Sequence, residues 1–282
     1  MDGSITNKSP AASWFDRPAG LFISSTQLDG FPAYSPDGSR IAFFSARSGQ
    51  GELWVADGNG SDLQMLTSMG KVEPPRWSPD GKSIVFAREG KIYRVDSAGG
   101  IPKEVVLAPS VKATEPSYSH DGRWIYFASD STGRSEVWRV STVTGEAVQV
   151  TKNGGALPAE SPDGRFLFYL KTEEVERGSH FQSSTLYRQP SGGGPEQRVL
   201  TSLLPQFVFA AGGLYFIRYD HPDHPIGIDF LDLRNGATRR VLTVNMPQRF
   251  SAPGLAVSPD GKWLLYALFD YEDDIMLFED FR

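Results

Sequence analysis

The chain has 282 residues, 39% hydrophobic and 12% aromatic, with a net charge of −6. That acidic balance excludes sequence-independent nucleic-acid binding, which needs a basic surface to release counterions. The absence of cysteine excludes disulfides, thiolate metal sites and cysteine nucleophiles, and no run of about eighteen apolar residues is present to span a membrane.

In chain order, Met1 to Gly20 is polar and lacks the basic-then-apolar order of a secretion signal. It reads as a mobile leader (1–20), and as written the chain would stay in the cytoplasm. Leu21 to Ser24 follows as a strand with no partner of its own. Then a repeat begins. Ser-Pro-Asp-Gly stands at Ser35–Gly38, Ser78–Gly81, Ser161–Gly164 and Ser258–Gly261, and Ser-His-Asp-Gly at Ser119–Gly122. A degraded copy, Ala210-Ala211-Gly212-Gly213, fills the one double-length gap. The period is about 40–45 residues, that of a propeller blade.

The turn chemistry explains the motif. Proline presets the first central position of a type I turn, Asp bonds nearby backbone at the second, and Gly takes the left-handed conformation that closes a hairpin. Inner strands precede each turn, as in Pro32-Ala33-Tyr34, Pro75-Arg76-Trp77 and Pro116-Ser117-Tyr118. After it, an aliphatic and an aromatic residue recur two apart (Ile41 and Phe43, Ile84 and Phe86, Ile125 and Phe127), which puts both on one sheet face. Third strands such as Leu53-Trp54-Val55 and outer strands such as Gln64 to Thr67 complete each unit. The sixth unit lacks an outer strand, so Leu21–Ser24 is expected to supply it. The expected fold is all-β: a six-bladed β-propeller of four-stranded antiparallel blades, closed by an N-terminal strand, so that few sheet edges stay open. The blades are placed at 31–67, 74–107, 115–151, 157–201, 206–243 and 253–282, with 21–25 completing the last, and no sizeable helix is expected.

These turns resemble the propeller repeats of the TolB family and of the broader WD-repeat-like group, over roughly Leu21 to Arg282. A closer likeness is to the C-terminal propellers of bacterial winged-helix transcriptional regulators, carried by Ile23-Ser24-Ser25-Thr26, by Asp121 to Ser129, by Gly254 to Gly261 and by Asp274-Ile275-Met276-Leu277. The resemblance implies a sensory or protein-interaction part, periplasmic if the chain derives from a TolB-like or membrane-anchored protein. It transfers no catalytic residue.

Variable loops opposite the turns are the expected working surface. The loop from Lys171 to Ser184 carries His180. Asp220-His221-Pro222-Asp223-His224-Pro225 packs two His and two Asp into six positions, and Asp270 opens an acidic loop. His180, His221, His224 and Asp220 or Asp223 are residue types that suit a divalent cation, but their spacing matches no zinc motif, so no cofactor is assigned. A second candidate set, Asp29, Glu73, Glu115 and Arg249, stands just before inner strands and could line the channel. The expected function is a non-catalytic, monomeric binding scaffold for a protein or peptide. The alternatives are a propeller-type lyase or glycoside-active enzyme with a metal on the loop face, and a periplasmic envelope accessory protein.

Overall fold

The computed structural model describes residues 20–108, 111–172, 183–218, 226–244, 254–268 and 274–279. Among them every regular element is a β-strand, and no helix is long and apolar enough to cross a membrane.

The chain opens with β1 (Gly20–Ile23). A four-stranded antiparallel sheet follows, of β2 (Asp29–Tyr34), β3 (Arg40–Ser45), β4 (Glu52–Asp57) and β5 (Gln64–Met65). Two more of the same order come next: β6 (Arg76–Trp77) to β7 (Ser83–Arg88), β8 (Lys91–Asp96) and β9 (Lys103–Val105), then β10 (Thr114–Tyr118) to β11 (Trp124–Ser129), β12 (Glu136–Ser141) and β13 (Ala147–Gln149). A seven-stranded sheet then runs through β14 (Ala156–Glu160), β15 (Phe166–Thr172), β16 (Ser184–Pro190), β17 (Gln197–Ala210), β18 (Gly213–Arg218), β19 (Ile226–Asp232) and β20 (Thr238–Val244). The last sheet contains β21 (Leu255–Val257), β22 (Trp263–Leu268) and β23 (Asp274–Glu279), with β1 on the free edge of β23. There Gly20 lies opposite Leu277 and Ile23 opposite Ile275.

The seven-stranded sheet departs from the expected run of separate four-stranded units. The outer strand of the fourth unit and the inner strand of the fifth are one continuous strand, β17. Its first half pairs with β16 and its second half with β18, with a register break between Leu203 and Phe207. Ser202 carries the bend, at φ +58°. Pro205, which has no N–H to give to a ladder, lies inside that break, and the strand continues on either side of it.

The repeated turns are built as their chemistry dictates. In the first, the Ser35 hydroxyl donates to Asp37 Oδ1 at 2.6 Å and accepts the Arg40 N–H at 2.9 Å, while Asp37 Oδ1 also accepts the Ser39 N–H at 3.0 Å. The same contacts recur at Ser78, Ser119, Ser161 and Ser258. Gly38, Gly81, Gly122, Gly164 and Gly261 all have φ between +66° and +73°. In the degraded copy Ala210 pairs Gly213 across a two-residue turn of Ala211 and Gly212, both left-handed.

The second strands are buried on both faces because sheet packs on sheet. Among the described residues the core divides into six apolar clusters, each spanning consecutive units. Ala42 and Val55 meet Ile84 and Phe86; Val85 and Ile92 meet Ile125 and Phe127; Tyr126 and Val137 meet Leu167 and Tyr169. Phe168 and Leu170 meet Leu214 and Phe216, and Tyr215 and Ile217 meet Leu255 and Leu264. The sixth cluster joins Ala256 and Leu265 of the last sheet to Ile41 and Phe43 of the first, with Ile23 of β1. Burying one such aromatic side chain is worth about 1.5–3 kcal/mol.

Candidate functional site

The inner strands converge on a cavity of about 520 Å³. Its wall is made by the last residues of β2, β6, β10, β14, β17 and β21, and its rim by the turns that follow them, including Pro36, Pro79, His120, Pro162 and Pro259. It therefore opens on the turn face, opposite the loops favoured from sequence. Each inner strand ends where its hairpin turn begins, so the turns themselves form the mouth.

In three units the residue before the turn bonds to the preceding unit. Trp77 Nε1 donates to the Ala33 carbonyl at 2.8 Å. The Tyr118 hydroxyl shares a hydrogen bond with Ser83 Oγ at 3.0 Å. Glu160 accepts the His120 N–H at 2.6 Å and the Tyr126 hydroxyl at 3.0 Å. Tyr34 lies within charge range of Asp260 in the last sheet, and burial first, then that charge, pushes its hydroxyl above the ordinary tyrosine range. The turns interlock as well. A Cβ on Gly38 would lie 3.2 Å from Pro259 Cδ, and one on Gly164 would lie 3.4 Å from His120 Cδ2. The seam partners are thus engaged before any ligand arrives, which makes the mouth rigid.

One residue position earlier, the repeats align by pairing register as Ala33, Arg76, Ser117, Ala159, Val208 and Ala256, opposite Ala42, Val85, Tyr126, Phe168, Tyr215 and Leu265. Five are small or medium, and one is arginine. Ala33, Arg76, Val208 and Ala256 all line the cavity. Of these four, only Arg76 brings a long side chain. Arg76 Nη1 donates to the Pro75 carbonyl at 3.0 Å. Burial lowers its pKa, opposed by the charge of Glu115. Arg76 stood in the inner strand read from sequence but was not among the expected site residues. The available signal was its departure from the repeat.

Of the expected channel residues, Asp29 is fully buried and ion-paired with Arg47, whose guanidinium also lies over the rings of Phe43 and Trp54. That contact ties Asp29 to its own sheet. Glu73 and Glu115 are brought together. The Glu73 carboxyl feels the charge and backbone of Glu115, and Glu115 Oε2 accepts the N–H of Leu157 at 2.6 Å. Burial, then the charge of Glu115, raises the pKa of Glu73; burial raises that of Glu115, with the Leu157 N–H and Arg76 opposing. Glu115 sits at φ +54° where β10 slips register against β11, and Phe31 and Leu157 occupy the same left-handed position in β2 and β14. Each precedes a proline, and the bulge bends the strand there. His180, Asp220, His221, Asp223, His224, Arg249 and Asp270 lie outside the described residues. Among the described residues no three His, Asp or Glu side chains converge as a metal site.

Comparison with known proteins accords with this geometry. The family model described as the TolB beta propeller domain matches residues 32–189, more than half of the chain. An uncharacterised protein of Agrobacterium fabrum is 30% identical over 137 residues, 46% of this chain and 46% of its own length. The Tol-Pal system protein TolB of Francisella tularensis subsp. holarctica is 34% identical over 88 residues, 29% of this chain and 20% of that protein. The chain thus spans less than half the length of these relatives. Among solved structures, TolB from Acinetobacter baumannii superposes with a TM-score of 0.63 at 18% identity, over 92% of this chain and 64% of that one. An oligogalacturonate lyase in complex with manganese gives a TM-score of 0.63 at 13% identity, over 93% and 96%. At such identities the superpositions speak for the fold alone. With more than half of its length matched by the family model, and its turns, seams and axial cavity built from the same repeat, the chain belongs to the TolB β-propeller family.

Proposed function

We propose that this chain is a non-catalytic binding scaffold, a six-bladed wheel that engages a protein or peptide at the axial cavity of its turn face. Six apolar clusters that follow one another around the sheets, and the pairing of β1 with β23, support six blades and closure by the N-terminal strand. On this reading the seven-stranded sheet is two blades sharing β17. The likeness to TolB, a Tol-Pal system protein, supports a partner that is itself a protein. The segments that resemble regulator propellers would suit a sensor in the same way.

One observation carries the binding reading. The cavity is preformed and mostly apolar, several of its wall residues bond to neighbouring units, and its volume lies in the range of about 300–1,000 Å³ usual for ligand sites. Ala33→Leu fills the cavity wall without removing the carbonyl that Trp77 uses. Affinity capture by the immobilised chain, with captured proteins identified by mass spectrometry, tests the proposal. Loss of a specific partner on Ala33→Leu supports it, and retention of every partner would move the binding surface to the outer loops.

The second reading is a metal-dependent lyase using His180, His221, His224 and Asp220. What favours it is the near full-length superposition on the manganese-bound lyase. Metal analysis of the purified chain, with turnover of oligogalacturonate in wild type and His221→Ala, separates the two.

A further inference from the structure

We propose that the axial cavity recognises a carboxylate, through Arg76, on a peptide whose neighbouring groups are apolar. This rests on the binding reading above and names the ligand chemistry of that site.

Four observations point to it. Arg76 occupies a position that the other five repeats give to Ala, Ser or Val, so it is a departure from the repeat and not part of its scaffold. It lines the cavity, its one hydrogen bond is to the adjacent Pro75 carbonyl, and no carboxylate among the described residues lies within ion-pair contact of it. Its remaining guanidinium donors have the fork geometry that matches a carboxylate bidentately. The acidic group in the same wall, Glu160, is occupied laterally by the His120 N–H and the Tyr126 hydroxyl. The acidic group nearest in charge to Arg76, Glu115, is buried and holds the Leu157 N–H.

The rest of the wall chooses the ligand. Tyr34, Trp77, Tyr118, Phe207 and Leu255 offer chiefly apolar surface, and Gln206 adds one buried amide that reaches the Leu255 carbonyl at 3.4 Å. A sugar acid brings a hydroxyl on almost every carbon, and each one buried without a partner costs about 1–3 kcal/mol. A peptide bearing one carboxylate beside an aromatic or aliphatic residue asks for one cation and an apolar cuff, which is what the cavity presents. Because the whole chain carries a charge of −6, attraction of an anion must come from this local cation and not from the overall field.

The test titrates the full chain with N-acetyl-Phe-Glu-amide, N-acetyl-Phe-Gln-amide and digalacturonate, followed by protein-detected NMR and tryptophan fluorescence. The expected result is saturable binding of the Glu peptide, at least tenfold weaker binding of the Gln peptide, and at least tenfold loss of the Glu peptide in Arg76→Gln at unchanged melting temperature. Arg76→Lys, which keeps the charge but not the fork, should recover part of the affinity, and it serves if Arg76→Gln does not fold. Equal binding of the Glu and Gln peptides, or full affinity in Arg76→Gln, overturns the proposal. Arg76-dependent binding of digalacturonate tighter than that of the peptide overturns the choice of a peptide. Partner capture that is lost in Ala33→Leu but unchanged in Arg76→Gln would leave the binding reading standing and sink this inference alone.

Discussion

The indole N–H of Trp77 reaches across the seam between the first two sheets to the Ala33 carbonyl, 2.8 Å away. Tyr118 and Glu160 stand at the same repeat position and also reach back by one unit, to Ser83 and to Tyr126. A local repeat position thus becomes a chain of links between sheets. Trp77→Phe keeps most of the apolar surface and deletes one link. It should cost about 0.5–1.5 kcal/mol of stability, plus a smaller packing loss. Urea unfolding monitored by circular dichroism measures this, and an unchanged midpoint would show that the seam does not depend on the bond.

The turn glycines have two separable tasks. Gly38 and Gly212 are both left-handed, at φ +73° and +78°. A Cβ at Gly38 would also press on Pro259 of the last sheet, whereas one at Gly212 would meet nothing within 4 Å. Gly38→Ala and Gly212→Ala should each lose about 1 kcal/mol from backbone strain, and Gly38→Ala should lose more. Equal melting temperatures for the two variants would mean that the first and last turns do not press on each other.

Acid acts on the turns. Hydrogen bonds from Ser258 and from the Lys262 N–H hold the Asp260 carboxyl at about 2, below the ordinary value of 3.8. Asp37, Asp80 and Asp163 are lowered in the same way, by their Ser partners first. A carboxylate lowered by folding stabilises the protein above its unfolded pKa, and that stability is lost as pH falls through the folded value. The melting temperature should therefore drop between about pH 4 and pH 2. Asp260→Asn should be less stable than wild type at pH 6, with the gap narrowing toward pH 2. A constant gap would sever the turns from the acid transition.

The pair Glu73 and Glu115 has the opposite sign. Burial raises both Glu73 and Glu115, and the Glu115 charge adds to the rise at Glu73. A raised carboxyl binds its proton more tightly in the folded state. Its contribution is present below the unfolded value of 4.5 and is lost as pH rises through the higher folded value. Glu73→Gln keeps the shape and polarity of the side chain and removes one charge. It should melt higher than wild type at pH 7 and equal to it near pH 4. A variant less stable at pH 7 would show that the charge of Glu73 is itself needed.

Two further buried carboxylates, Glu52 and Glu136, were missed in the sequence. Glu52 accepts the Thr67 hydroxyl and the N–H groups of Met69 and Gly70 at 2.5, 3.1 and 2.6 Å. Glu136 repeats the knot with Thr151 and Gly154. Glu52→Ala strands three donors and should lose several kcal/mol, at about 1–3 kcal/mol per buried group left without a partner. Thermal melting that moves by less than 2 °C would refute the knot.

The turns were legible because their chemistry is local: Ser, Pro, Asp and Gly act within six residues of chain, and every Gly expected to be left-handed is left-handed. The alternation of Ile41 with Phe43 and of Ile84 with Phe86 marked residues that are buried, but Ala42 and Val85 between them are buried too, because both faces of these strands are covered. Local chemistry could not say that β17 would run unbroken from Gln197 to Ala210 and join two expected units. Nor could it say that Asp29 would pair with Arg47, or that the cavity would open among the turns. Those outcomes depend on which groups from different repeats come within a few ångströms once the sheets stack around an axis. Residues about forty apart in sequence become neighbours there, and Arg76 gains its meaning only beside the small residues that share its ring. Sequence alone determined the strands, the turns and their period; tertiary structure decided which of the many charged side chains would face a cavity with donors to spare.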